Sequence, residues 1–168
     1  LYLRKDNKKY FTDFSSETKP DILIPLSVLI GLCTQFTGIA VNIPVNLLLE
    51  LLNASVSSKI PASDSFAFLG ISVVCFALIP ALCEEILFRG IIFKHFRQYG
   101  NKAAIVISAF LFAVMHLSFS NFLPPFFMGI IFGMMFVYTN RLIYPAIAHF
   151  TVNATACIIN FASGYEIM

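Results

Sequence analysis

The 168-residue sequence is 58% hydrophobic and only 12% charged. Soluble domains average about 45–50% apolar and about 25% charged residues, so a water-soluble core is excluded and one membrane-embedded domain over residues 1–168 is expected. A formal charge of +2 is too small for a nucleic-acid surface, which leaves the lipid bilayer as the first partner.

Residues 1–21, "LYLRKDNKKYFTDFSSETKPD", are polar, basic and turn-rich, and read as a surface segment. The chain opens at Leu1 without a methionine, so a preceding piece is expected, with "LYLR" as the end of an earlier span. Residues 22–49 carry no charged side chain, more than the ~20 residues needed to cross a bilayer. Asn42, Pro44 and Asn46 predict that this first span ends near residue 41, with an interfacial helix and loop after it. A second apolar run covers residues 66–93 and is broken only by Glu84, Glu85 and Arg89. A third covers 103–118, a turn follows at 118–125, and the last two runs cover 126–139 and 143–162. The expectation is an all-α, polytopic bundle of about five spans. Cys33, Cys75, Cys83 and Cys157 all sit in apolar runs without CxxC spacing, and read as small buried hydrophobes, not as a disulfide or zinc framework. Gly129 and Gly133 form a small-xxx-small spacing suited to close helix packing.

Five spans put the N-terminal segment, the 94–102 loop and the 139–142 turn on one side of the membrane. Ten of the eleven Lys and Arg residues lie there or at its edge, with Lys59 alone opposite. The positive-inside rule assigns that side to the cytoplasm.

Inserting a charge at the bilayer centre costs about 2.5–3.5 kcal/mol on insertion scales. The charged trio of the second span therefore calls for a reason other than insertion. Counting inward from the nearest basic residue at 1.5 Å per residue, Glu84 lies about 15 Å deep, His116 about 21 Å, His149 about 12 Å and Asn153 about 18 Å. In a core about 30 Å thick these four form one polar layer drawn from three spans. Glu85 and Arg89 stand at i, i+4 in the favourable order and pair along one helix face, leaving Glu84 free. His149 and Asn153 are also i, i+4 and share a face. Each member has a plain structural reading: a histidine or asparagine bridging helices, or a Glu–Glu–Arg cluster locking a bundle or lining an ion path. A carboxylate, two imidazoles and an amide together in a protected cavity are what water activation and oxyanion stabilisation require.

These residues resemble a known family. "EEILFR" (84–89) is similar to the EExxxR motif of the CPBP family, the CAAX protease and bacteriocin-processing membrane proteins. "FAVMH" (112–116), beginning at Phe112, resembles its FxxxH motif, and "HFTVN" (149–153) its HxxxN motif, in the family's order and over residues 66–155. The resemblance implies an all-α intramembrane endopeptidase with a catalytic layer near mid-membrane. By it, Glu84 and His116 activate water, His149 and Asn153 hold the oxyanion, and Glu85 and Arg89 complete the first motif. Two departures stand out: the family has further N-terminal spans, and the turn "TNR" (139–141) lacks the family's glycine. The family is described both as metal-independent glutamate proteases and as metalloproteases. The metal-free route is favoured here, with zinc on Glu84, His116 and His149 as the alternative. Expected substrates are membrane-associated peptides or lipidated proteins, in CAAX-type processing or in bacteriocin processing and immunity. Richness in Ile, Phe, Asn and Lys suggests an AT-rich bacterial genome and a bacterial cell membrane, which favours a peptidase or immunity protein. The rival class is a non-enzymatic scaffold, transporter component or immunity binder using the same cavity.

Overall fold

A computed structural model describes residues 22–53, 65–118 and 121–165. Its described elements are helices: α1 (Leu23–Leu51), α2 (Phe66–Tyr99), α3 (Asn101–Met115), α4 (Leu123–Thr139) and α5 (Ile143–Tyr165). Three of them, α1, α2 and α5, are long and apolar enough to cross a membrane, while α3 and α4 are shorter apolar helices. At 15 and 17 residues, α3 and α4 rise about 22 and 25 Å. The 34 residues of α2 rise about 51 Å, so its end at Lys94–Tyr99 reaches past a ~30 Å hydrocarbon core. The outer surface is apolar: Phe36, Ile43 and Ile71 are each about 60% exposed. Water would penalise such a surface, whereas lipid tails solvate it. The protein is an integral membrane helix bundle.

The first helix is longer than its sequence suggests. It does not stop near residue 41 but continues through Pro44 to Leu51. Proline removes one hydrogen bond and crowds the preceding turn, a loss that apolar helices tolerate, and the lipid-facing leucines 47, 48 and 51 extend the apolar surface beyond it. The basic segment 1–21, Lys59 and most of the expected interfacial loop lie outside the described residues.

Close backbone approaches hold the bundle. A Cβ on Gly129 would stand 2.7 Å from Ala109 Cα, and one on Gly31 would stand 2.6 Å from the Ala148 carbonyl oxygen. These glycines set the α4–α3 and α1–α5 contacts. The core between α2, α3, α4 and α5 is built from Phe88, Phe112, Met128, Phe132, Ala148 and Val152. The cysteines do not behave as buried hydrophobes: Cys33, Cys75 and Cys83 are exposed and Cys157 is half-buried. An apolar run in a membrane protein carries lipid-facing and core positions of the same composition, so the residue type did not distinguish them.

Two turns meet on one side. Arg97 donates from its guanidinium to Asn140 Oδ1 at 3.3 Å, joining the α2–α3 turn to the α4–α5 turn. Asn140 has φ +53° in the left-handed region and caps α4 through its N–H to the Phe136 carbonyl. Asparagine is the side chain that best stands in for glycine in that conformation, so the turn keeps its geometry without one.

Candidate active site

The site is built on α2, whose winding departs from α-helical twice. Val73–Leu78 and Ile86–Ile92 form π turns, closed by Ile79 N–H to the Val74 carbonyl and Phe93 N–H to the Phe88 carbonyl. The first precedes Pro80, where a widened turn accommodates a ring that would otherwise clash with the turn before it. The second begins directly after Glu85. Such single wide turns are frequent at functional sites because they re-aim side chains without breaking the helix.

Arg89 is fully buried and Glu85 is 1% exposed. Arg89 Nη1 donates to Glu85 Oε1 at 2.8 Å, and Nη2 donates to the Gly129 carbonyl at 3.0 Å. The guanidinium also lies against the rings of Phe112 and Phe132, at 5.2 and 5.6 Å from their centroids. One cation therefore ties α2 to the α3–α4 pair at the glycine where those two helices touch.

His149 is 2% exposed and enters this cluster from α5. Its ring packs against Phe112 and Phe132, the same two rings that flank Arg89. Nδ1 is 3.0 Å from Glu85 Oε1, and Nε2 is 3.7 Å from Glu84 Oε2. An ionised carboxylate can only accept, so Nδ1 carries the hydrogen of the Glu85 bond and Nε2 is turned towards Glu84. A histidine whose ring nitrogens are assigned by a buried carboxylate is a recurring arrangement for orienting an imidazole.

His116 stands at the C-cap of α3 and is exposed. Its Nδ1 is 2.9 Å from the Phe112 carbonyl. Since a carbonyl only accepts, Nδ1 carries the hydrogen, which in the neutral ring leaves the lone pair on Nε2. Phe112 thus serves twice, as the carbonyl that fixes His116 and as the ring between His116 and His149.

Glu84, His116, His149 and Asn153 all line one cavity of about 430 Å³. The structure brings these four together, with Glu85, Arg89 and Phe112 packed behind them. The Glu85–His149 bond was not foreseen from sequence, because it depends on the relative rotation of α2 and α5. The α1 contribution was also missed. Thr34, Gln35 and Asn42 line the same cavity, yet isolated polar residues in an apolar span give no signal of facing it. Among the described residues no group of three His, Cys, Asp or Glu side chains is poised to hold a metal ion. His149 spends Nδ1 on Glu85 and His116 spends Nδ1 on its own helix, so both rings keep Nε2 for the cavity.

Residues 66–155 match the Rce1-like family, described as type II CAAX prenyl endopeptidase Rce1-like. The chain is also similar to the membrane-embedded CAAX protease MroQ of Staphylococcus aureus (strain USA300), with 36% identity over 90 residues. That alignment covers 49% of this chain and 36% of the relative, so the chain spans well under two thirds of the curated protein it matches. No solved structure matches it. The matched segment contains the whole of α2, α3 and α4 and the part of α5 that carries His149 and Asn153, and on that ground the chain belongs to the Rce1-like type II CAAX prenyl endopeptidase family.

Proposed function

We propose that this chain is an intramembrane endopeptidase that hydrolyses peptide bonds of membrane-associated peptides or lipidated proteins at the Glu84–His149 cavity. The observation that carries this reading is the convergence of Glu84, His116, His149 and Asn153, from three helices, on one cavity beside a buried, hydrogen-bonded Glu85–Arg89 support. The family membership and the similarity to a Staphylococcus CAAX protease support the same class of reaction. The proposed setting is a bacterial cell membrane, with the Arg97–Asn140 side facing the cytoplasm.

In this reading a water in the cavity loses a proton to the Glu84 carboxylate while His116 Nε2 accepts its second hydrogen bond. Attack on the scissile carbonyl places negative charge on that oxygen, which the Asn153 amide and the His149 ring face. With Nδ1 bound to Glu85, His149 donates from Nε2 when the ring carries its second proton, and such preorganised donors act where charge develops. Glu84 then returns the proton to the leaving amine. Glu85 and Arg89 touch no reacting atom and act as positioning residues for His149. The route uses only side chains of this chain and needs no metal.

The test is incubation of the protein in nanodiscs with membrane-bound peptides, including C-terminal CAAX-type and bacteriocin-type sequences, with products read by mass spectrometry. Peptide cleavage that persists after exhaustive chelation is expected. Binding without cleavage would favour the scaffold or immunity-binder reading, and stoichiometric zinc whose removal abolishes cleavage would overturn the metal-free route.

A further inference from the structure

Helix α1 lies wholly outside residues 66–155, the segment that carries the family match. It nevertheless supplies one wall of the cavity that holds Glu84, through Thr34, Gln35, Gly38, Ile39 and Asn42. Positions 31, 34, 35, 38 and 42 fall on one helical face. Gly31 seats that face on α5, where an added Cβ would stand 2.6 Å from the Ala148 carbonyl oxygen. Gly38 brings it to α4, where the same addition would meet Pro124 Cβ at 3.4 Å. Thr34 is spent within α1, since its hydroxyl donates to the Ile30 carbonyl at 2.7 Å. The two amides are not spent. Asparagine and glutamine in apolar spans ordinarily hydrogen-bond a neighbouring helix, yet among the described residues neither Gln35 nor Asn42 does so. Asn42 Oδ1 is buried and has no partner in the bundle, a costly arrangement for a group that serves folding alone.

We infer that Gln35 and Asn42 anchor the main chain of the peptide bound in this cavity. The inference rests on the hydrolase reading and adds α1 to the elements that hold the substrate. A peptide inside the hydrocarbon layer must have its N–H and C=O groups met by protein. Many peptide-binding proteins meet them with the edge of a sheet, but the described elements here are helices, whose backbone groups are bonded internally. Side-chain amides are the remaining source. Each carries an acceptor oxygen and two N–H donors, and a turn about its last single bond exchanges the two ends. By such a turn the unpartnered Asn42 oxygen meets a substrate N–H. The spacing suits two contacts on one chain: seven residues of helix rise about 10 Å, close to three residues of extended peptide at about 3.3 Å each.

The test uses the CAAX-type and bacteriocin-type peptides in nanodiscs, each also made with one amide replaced by an ester at successive positions. An ester removes a single N–H donor and leaves every side chain unchanged. Wild type is compared with Asn42→Leu and Gln35→Met, which are close in size and lose the amide. The expected result is that an ester at one position costs wild type about 3–10-fold in kcat/KM and costs Asn42→Leu nothing there. Gln35→Met should lower kcat/KM for the parent peptide by a similar factor. Without peptide, Asn42→Leu should melt no lower than wild type, because the fold loses no hydrogen bond. Affinities for the same peptides on a Glu84→Gln background, alone and with Asn42→Leu, separate the two readings. Ester-sensitive binding that becomes insensitive with Asn42→Leu, without wild-type cleavage, would sink the hydrolase reading and keep the anchor. Ester losses equal in wild type and Asn42→Leu would overturn the anchor. So would a lowered melting temperature for Asn42→Leu, which would return the amide to helix packing. Peptides neither cleaved nor bound would overturn both readings.

Discussion

Arg89→Ala removes the cation that the buried cluster is built around. In the native protein its guanidinium satisfies Glu85 Oε1 and the Gly129 carbonyl and packs on two phenylalanine rings. Without it Glu85, at 1% exposure, keeps only the bond from His149, and its second oxygen, which already has no protein partner, stays unpaired. Breaking a buried pair from one side costs about 3–5 kcal/mol. At about 2–4 °C per kcal/mol for a chain of this size, the melting temperature in nanodiscs should fall by roughly 6–20 °C. The companion double variant Glu85→Gln/Arg89→Met removes both charges while leaving an amide oxygen for His149. It should be less destabilised than the sum of the singles by about 0.5–3 kcal/mol. An Arg89→Ala melting temperature within a degree of wild type, or strictly additive single effects, would refute the argument that the two charges support one another.

Three further outcomes are expected. His116→Ala should lower turnover by about 10²–10⁴-fold with little change in melting temperature, because His116 is exposed and bonds only its own helix; His149→Ala should lower both, since that ring is buried and bonded to Glu85. Gly129→Val should cost about 1–3 kcal/mol by overpacking and displace the carbonyl that holds Arg89, whereas Gly70→Ala, with nothing within 4 Å of its Cβ, should be silent; equal melting temperatures for the two would contradict the packing argument. Single cysteines at Gln98 and Asn140 should be labelled from the same face of the membrane, expected to be the cytoplasmic one, and Ser65 from the other; labelling of the first two from opposite faces would overturn the helix order.

Much of this architecture can be read along the chain, because the informative spacings are local. The Glu85–Arg89 pair needs only an i, i+4 relation, and the shared face of His149 and Asn153 needs only the helical period. What escapes the sequence is non-local or depends on departures from regular winding. Two π turns in α2 flank the regular stretch Ile79–Glu85 and shift the side-chain phase of Glu84 and Glu85 against the rest of the helix from what a uniform 100° per residue would give, and no hydrophobic pattern marks them. The Nδ1 bond of His149 to Glu85 depends on how α5 rotates against α2. Pro44 looks like a stop, yet a lipid-facing helix loses one hydrogen bond there and continues. Thr34, Gln35 and Asn42 are each unremarkable in an apolar span, and become part of the cavity only because Gly31 lets α1 approach α5.

The central claim is that Glu84, the partly exposed member of the carboxylate pair, activates water. Glu84→Gln is nearly isosteric and leaves the buried Glu85–Arg89–His149 cluster untouched. The decisive measurement is the ratio of wild-type to Glu84→Gln turnover on one cleaved peptide in nanodiscs, with melting temperature recorded on the same samples. The account predicts a loss of about 10²–10⁴-fold at an unchanged melting temperature. Full turnover by the folded Glu84→Gln protein would contradict it.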